Sequence, residues 1–119
     1  MPITITVSHT VSDQTIRDIK TTAAEGGIDY WSEIEKYDFD AGVLKVITDD
    51  PIEGDGDKVY DVTDDVIKLG IERALAESKG RDWESAIRRG VAADDAGEID
   101  AEAADVIVQL GLFGEIVYG

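Results

Sequence analysis

The sequence contains no cysteine, only two prolines and a single histidine among its 119 residues. The absence of cysteine excludes disulfide bonds, thiol nucleophiles and thiolate metal ligands. No apolar run approaches the roughly 20 residues that a membrane-spanning helix needs. No basic segment followed by an apolar stretch marks the amino terminus as a signal peptide. We therefore expect a cytoplasmic protein that makes no contact with membranes.

Basic residues are also scarce, since 11 lysines and arginines stand against 27 acidic residues and the net charge is −16. Residues 1–60 carry 13 acidic and 5 basic residues, and residues 61–119 carry 14 and 6, so each half contributes −8. Such a charge repels nucleic acid, because phosphate binding depends on lysine and arginine. Direct binding of DNA or RNA is therefore not expected, whereas a basic partner protein or solvation at high salt suits this surface.

The pattern of apolar residues, which make up 43% of the chain, predicts one α+β domain that spans the whole sequence. Residues 3–7 alternate as a strand does, and helical spacing follows Ser12, a suitable N-cap. Gly26 and Gly27 are predicted to end this helix at about residue 25, because glycine adopts the left-handed C-cap conformation. Three strands of an antiparallel meander are predicted next, at about residues 28–37, 43–48 and 58–62.

The second half of the sequence predicts helices. The first follows Thr63 and the last follows Asp100, two residues that are suited to cap a helix amino terminus. These helices are expected at about residues 63–78, 82–89 and 101–110. The apolar segment 112–119 predicts a final strand, and we expect this segment to pack into the domain.

No group of residues predicts a catalytic centre, a metal site or a cofactor. His9 follows the first strand without a nucleophile pattern beside it, which is typical of an ordinary strand-end histidine. The acidic loop 53–57 is followed by Lys58, where a calcium-binding EF-hand loop needs glycine, and the loop 92–103 has alanine at three ligand positions. The glycine pair follows a helix, so it does not form a phosphate-binding loop. We expect a protein that is not an enzyme.

The basic residues Arg81, Arg88 and Arg89 form the main cationic cluster. Arg81 and Arg88 are seven residues apart, which places them on roughly one face of a helix. They either pair with neighbouring acidic residues or contact an anionic group of a partner. The neighbouring acidic residues are Glu77, Asp82 and Glu84.

The most distinctive segment is EGGIDYW at residues 25–31. In a strand, the adjacent rings of Tyr30 and Trp31 would point to opposite faces. Either both rings are partly buried scaffold, or one is an exposed anchor at a protein interface, where Tyr and Trp are favoured. Trp83, near the arginines, is a further candidate for contact with a ligand or partner.

This segment, together with residues 105–119 and their ending LFGEIVYG, resembles a group of small proteins of tailed phages and related mobile elements. That group has no assigned activity, so the resemblance carries no site residues with it. It implies an accessory protein encoded by a virus or a provirus. The 17 aspartates, 10 glutamates and 6 lysines resemble the composition of proteins from salt-loving organisms. A haloarchaeal virus or provirus fits both resemblances.

The leading hypothesis is a non-enzymatic accessory protein that acts by contact with a host or viral protein in the host cytoplasm. One version is an inhibitor of a host nucleic-acid enzyme or defence system, although the even charge distribution favours salt adaptation over mimicry of phosphates. The first alternative is a small-molecule or nucleotide-binding module, whose site uses Arg88 and Arg89 with Trp31 or Trp83. The second is a structural component of the virion. Each of these hypotheses is compatible with a homo-oligomer.

Overall fold

The computed structural model describes residues 9–49, 56–77 and 81–119. Within these ranges the chain forms four α-helices and one three-stranded antiparallel sheet, which confirms the α+β prediction. The predicted strand at residues 3–7 and most of the acidic loop at 53–57 lie outside the described residues.

The first helix, α1, spans Asp13–Thr22. It begins at Ser12, whose hydroxyl accepts a hydrogen bond from the backbone N–H of Thr15 at 3.2 Å. This contact satisfies one of the amide groups that an α-helix leaves without a partner at its amino end. The cap predicted from the sequence is therefore present.

The end of this helix differs from the prediction. A π-helical turn at Ala23–Gly27 follows α1. Neither Gly26 nor Gly27 has a positive φ, so the prediction of a left-handed glycine cap is wrong. Gly27 is buried instead, and a Cβ atom there would stand 3.0 Å from the carbonyl oxygen of Ala101. Glycine is suited to position 27 because two helical segments approach each other closely there.

The sheet is the predicted meander, in the order β1-β2-β3. The second strand agrees with the prediction to within one residue, and the third is shifted by one. The first begins five residues later than predicted, because residues 28–31 form a turn. Tyr30 and Trp31 therefore precede the strand and do not occupy its two faces. The strands are β1 at Glu33–Asp38, β2 at Val43–Asp49 and β3 at Asp57–Asp61.

Three further α-helices follow the sheet: α2 at Asp64–Glu77, α3 at Asp82–Ala93 and α4 at Ala101–Phe113. Both predicted caps are present. The Thr63 hydroxyl accepts from the N–H of Val66 at 3.2 Å, and the Asp100 carboxylate accepts from the N–H of Ala103 at 2.8 Å. Both α3 and α4 extend beyond the predicted ends.

Helix α4 lies at the centre of the domain, and its residues 103–111 are all buried. A helix with apolar residues on all of its sides belongs in a core. It packs closely against α2, because a Cβ atom at Gly70 would overlap the backbone of Ile107, and one at Gly111 would overlap that of Val66. The glycines thus allow the two helix backbones to touch.

The predicted final strand is wrong. Helix α4 continues to Phe113 and ends at Gly114, which has φ +78° and donates its N–H to the carbonyl of Leu110 at 3.0 Å. Residues 115–119 form no strand and pair with no described strand. A strand needs a neighbour for its backbone groups, and this segment has none among the strands that the structure describes. It contacts the domain through Tyr118, which is partly buried, while Ile116 and Val117 are exposed.

Candidate interaction surface around Tyr30

The buried carboxylate of Asp105, on α4, positions both rings of the EGGIDYW segment. It accepts hydrogen bonds from the Tyr30 hydroxyl at 2.6 Å and the Trp31 indole N–H at 2.8 Å. The carboxamide of Gln109, one turn along the helix, donates a third at 2.9 Å. A carboxylate with three donors holds them more strongly than a neutral acceptor would. The orientation of both rings is thus set by one helix position.

The two rings differ in exposure. Trp31 is buried, whereas Tyr30 is 57% exposed although its hydroxyl is directed to Asp105. Burial of that hydroxyl, followed by the hydrogen bond to Asp105 and the negative charge there, raises the pKa of Tyr30 to about 12. The phenol therefore stays protonated at neutral pH and acts as a donor to Asp105. The two alternatives that the sequence left open thus apply to different rings. Trp31 is part of the scaffold, and Tyr30 is an exposed aromatic side chain.

The segment after α4 completes the arrangement. The Gln109 carboxamide oxygen accepts hydrogen bonds from the N–H groups of Val117 and Tyr118, each at 2.8 Å. The ring of Tyr118 stacks on the indole of Trp31, and the ring of Phe113 stands edge-on to that indole at a centroid distance of 5.7 Å. The EGGIDYW segment and residues 105–119 thus form one structural unit.

A cleft of about 460 Å³, here called the aromatic cleft, opens beside this unit. Its lining includes three of the predicted interaction residues, namely Tyr30, Arg81 and Trp83. Trp83 is mostly buried in α3, and Arg81 is exposed immediately before that helix. The Arg81 guanidinium forms no ion pair with any residue in the described ranges. Acidic and apolar side chains of α4 and the carboxyl-terminal segment also line the cleft: Glu102, Asp105, Ile116 and Tyr118.

A second cleft, of about 350 Å³ and here called the acidic cleft, shares Tyr30 with the first. Four exposed acidic side chains line it, and none forms an ion pair or a side-chain hydrogen bond within the described part of the chain. Asp49 and Asp57 are directly opposite each other in the register of β2 and β3, and like charges in that position destabilise a sheet. The four acidic residues are Asp29, Glu33, Asp49 and Asp57.

The other two arginines are not part of this surface. Arg88 lies 3.9 Å from Glu84, as the sequence analysis allowed, and also donates to the carbonyl of Leu75. Arg89 pairs with Glu98 at 3.3 Å. The predicted common face of Arg81 and Arg88 is wrong, because Arg81 precedes the first turn of α3 and has extended backbone.

Sequence reasoning did not identify Asp105 and Gln109 as organising residues. A signal was available, because both are strongly polar residues in an otherwise apolar helix and are four positions apart, on one face. Buried polar groups require partners, so such a pair indicates a hydrogen-bond network. The identity of the partners, Tyr30, Trp31 and the backbone of residues 117–118, follows only from the tertiary structure.

Comparisons with protein-family models, curated proteins and solved structures found no match for this chain. Among the described residues, no three His, Asp or Glu side chains are grouped so that they could hold a metal ion. No helix within the described ranges has the length and apolar content needed to span a bilayer. The function proposed below therefore rests on the geometry around Tyr30.

Proposed function

We propose that this chain is a non-enzymatic accessory protein of a virus or provirus that acts by protein–protein contact, and that Tyr30 is the anchor of its partner-binding surface. The observation that carries the proposal is the position of Tyr30, exposed between the aromatic and the acidic clefts while its hydroxyl is held by Asp105. The viral origin is supported by the resemblance of the EGGIDYW and LFGEIVYG segments.

The restraint on Tyr30 favours a role in binding. Tyrosine offers a large contact area with few rotatable bonds, and tyrosines are enriched among the residues that dominate interface energies. Here the ring loses little further freedom on association, because the hydrogen bond to Asp105 already restricts it. A restrained side chain reduces the ordering cost of binding.

The charge around Tyr30 favours a basic partner segment. The acidic cleft presents four carboxylates without cationic partners among the described residues. A lysine or arginine placed there would relieve the repulsion between Asp49 and Asp57 and could also contact the face of the Tyr30 ring. An apolar side chain beside that basic residue would enter the aromatic cleft. The partner is therefore a protein with an exposed segment that combines basic and apolar residues.

The proposal is tested by selection of binders from a random peptide library on three forms of the protein. These are the natural chain, Tyr30→Ala and Phe39→Ala, the last a matched control because Phe39 is another exposed aromatic residue, in the β1–β2 turn. The natural chain and the Phe39 variant are expected to enrich basic peptides with an apolar residue, and Tyr30→Ala is expected to lose them. A further variant, Tyr30→Phe, keeps the ring and separates loss of contact area from loss of the Asp105 hydrogen bond.

Two outcomes contradict the proposal. One is enrichment of the same peptides by Tyr30→Ala, and the other is enrichment of peptides without basic residues. Binding of the selected peptides should also weaken as salt rises, because exposed charge pairs are screened over roughly 10 Å at 0.1 M ionic strength.

Small-molecule binding in the aromatic cleft is a second candidate function. It is favoured by Arg81, whose guanidinium has no ion-pair partner in the described residues and lies in the same cleft as Trp83 and Tyr30. Such a site suits a planar ligand with an anionic group. Arg88 and Arg89 pair with acidic side chains elsewhere, so they are not part of it.

A screen of nucleotides for a rise in melting temperature tests this second function, since a ligand that binds only the folded state stabilises it. An active nucleotide should lose its effect on Arg81→Ala and keep it on the control Arg89→Ala. A screen in which no nucleotide raises the melting temperature would count against ligand binding.

A further inference from the structure

Residues 114–119, here called the tail, are attached to the domain almost entirely through side chains. None of residues 115–119 forms a backbone-to-backbone hydrogen bond with the described residues. The tail is instead held by Gln109 of α4 and by the aromatic rings around Trp31. The attachment is therefore local. The residues that hold the tail, chiefly Gln109 and Trp31, are here called the receptor.

The receptor recognises the main chain of the tail. The Gln109 carboxamide accepts from two successive N–H groups, those of Val117 and Tyr118, and donates to the carbonyl of Tyr118 at 3.1 Å. Gln109 is completely buried, and its amide nitrogen is also bonded to Asp105 at 2.9 Å, so its orientation is restrained. Two successive amides reach one acceptor only where the backbone turns, because the successive N–H groups of a strand point to opposite edges.

The receptor also recognises one side chain. The Tyr118 ring is parallel to the Trp31 indole, 5.0 Å away between centroids, and lies 6.1 Å from the ring of Phe113 at a steep angle. Its hydroxyl reaches Thr48 and the carbonyl of Asp49 at 3.4 and 3.3 Å. Backbone capture and a ring site together make a site for a turn of the main chain that carries a tyrosine.

The connection between α4 and this site is short. The helix ends at Phe113, and the first captured amide is that of Val117, so residues 114–116 make the whole connection. Gly114 reverses the chain with φ +78° and is exposed. A β-carbon is disfavoured at such a φ, and proline, with φ near −65°, cannot adopt it.

We propose that the tail exchanges between two copies of this chain, so that the tail of each copy occupies the Gln109 and Trp31 site of the other. The second copy is the natural occupant, because its tail makes the contacts that the site already makes and only residues 114–116 change conformation. Exchange of an identical element is a low-cost route to a dimer, and strain in a short hinge favours it. The aromatic cleft is preserved, since the partner copy supplies its own Ile116 and Tyr118. The inference does not depend on the proposed function.

Charge makes this exchange dependent on salt. Each chain carries a net charge of −16, so two copies repel each other at low ionic strength. Salt shortens the range of that repulsion from about 30 Å at 0.01 M to about 3 Å at 1 M. The exchanged dimer is therefore favoured at high salt and high protein concentration.

Light scattering after size-exclusion chromatography tests the proposal on four chains. The natural chain should be a monomer of 12.9 kDa at low salt and gain a species of twice that mass at high salt. Gly114→Pro, which opposes the reversal at Gly114, should increase the dimer fraction severalfold. A flexible Gly-Ser insertion after Gly114 should decrease it, because a longer connection closes onto its own site with less strain. A chain that ends at Phe113 should stay monomeric.

Three results would overturn the exchange. They are a monomeric Gly114→Pro variant at every salt concentration, an equal dimer fraction in the insertion variant, and a dimer that persists without the tail. Circular dichroism establishes whether the shortened chain folds. Should it not fold, the comparison of Gly114→Pro with the insertion variant decides, because both retain the whole tail.

Discussion

The phenol ring of Tyr118 lies flat on the indole of Trp31, with ring centroids 5.0 Å apart and an angle of 4° between the planes. The contact joins the EGGIDYW segment to the segment that follows α4. It places Trp31 in the scaffold and leaves its neighbour Tyr30 on the surface. Of the two adjacent rings, one therefore holds the domain together and the other lies exposed on its surface.

Replacement of Asp105 by asparagine should destabilise the domain by about 2 kcal/mol, because hydrogen bonds to a buried charged acceptor are worth more than neutral ones. Loss of the negative charge should also lower the pKa of Tyr30 from about 12 toward its ordinary value of 10.0. Urea denaturation and an NMR titration of the Tyr30 ring measure the two effects. Glu102→Gln, an exposed change on the same helix, is the control and should alter neither quantity.

Replacement of Gln109 by leucine should release the tail while it keeps a side chain of similar size in the core. We expect the free energy of unfolding to fall by about 1–3 kcal/mol and the amides of Val117 and Tyr118 to lose their hydrogen-exchange protection. Gln14→Leu, on the exposed face of α1, is the matched control. Unchanged protection of the two tail amides would show that Gln109 does not hold the tail.

The buried ammonium group of Lys20 should be required for stability. It donates to the carbonyl of Gly42 and the carboxylate of Asp64, each at 2.8 Å, and its side chain is only 3% exposed. Lys20→Met should cost about 2–3 kcal/mol, less than a fully buried pair, because Asp64 can still be solvated. Denaturation of Lys68→Met, an exposed change on α2, should differ little from that of the natural chain.

Acid should weaken the contact between Ser12 and Asp94. The backbone N–H of Ser12 donates to the Asp94 carboxylate at 2.9 Å and, with the hydroxyls of Thr15 and Ser12, lowers the pKa of Asp94. A carboxylate whose pKa is lower in the folded state stabilises above its ordinary value of about 3.9. That contribution is lost as the pH falls through the lowered pKa.

Asp94→Asn tests this dependence, since asparagine also tolerates the left-handed conformation of residue 94, with φ 49°. Denaturation of both chains between pH 6 and pH 2 should show the natural chain losing its advantage over the variant in acid. A constant difference over that range would contradict the assignment.

The facing carboxylates of Asp49 and Asp57 should make the stability of the domain increase with salt. Opposed like charges across a strand pair cost a few tenths of a kcal/mol, up to about 1 kcal/mol, and salt screens them. Asp49→Asn should raise the melting temperature at low salt and reduce its increase with sodium chloride. Asp40→Asn, in the exposed β1–β2 turn, is expected to leave the salt dependence closer to that of the natural chain.

Local patterns determined much of the fold. The strand-forming residues 43–48 and the residues 58–62 that close a hairpin with them predicted two strands of the meander. The residues Ser12, Thr63 and Asp100 were each predicted as the N-cap that the structure contains. These features are local, because a capping bond joins residues a few positions apart and a strand is a run of consecutive residues. The sequence therefore suffices for them.

The surface around Tyr30 was decided by tertiary structure. The aromatic-rich segment 28–37 resembles a strand in sequence, but residues 28–31 form a turn in the structure. There Asp105, from a helix more than seventy positions away, binds both Tyr30 and Trp31. The apolar tail likewise predicts a strand, but Gln109 satisfies its backbone in place of a neighbouring strand. In both cases the partner is a buried polar side chain of α4, which local residue patterns do not reveal. The sequence by itself determined that the chain is an acidic α+β domain, and only the folded structure decided which rings are buried and which one faces outward.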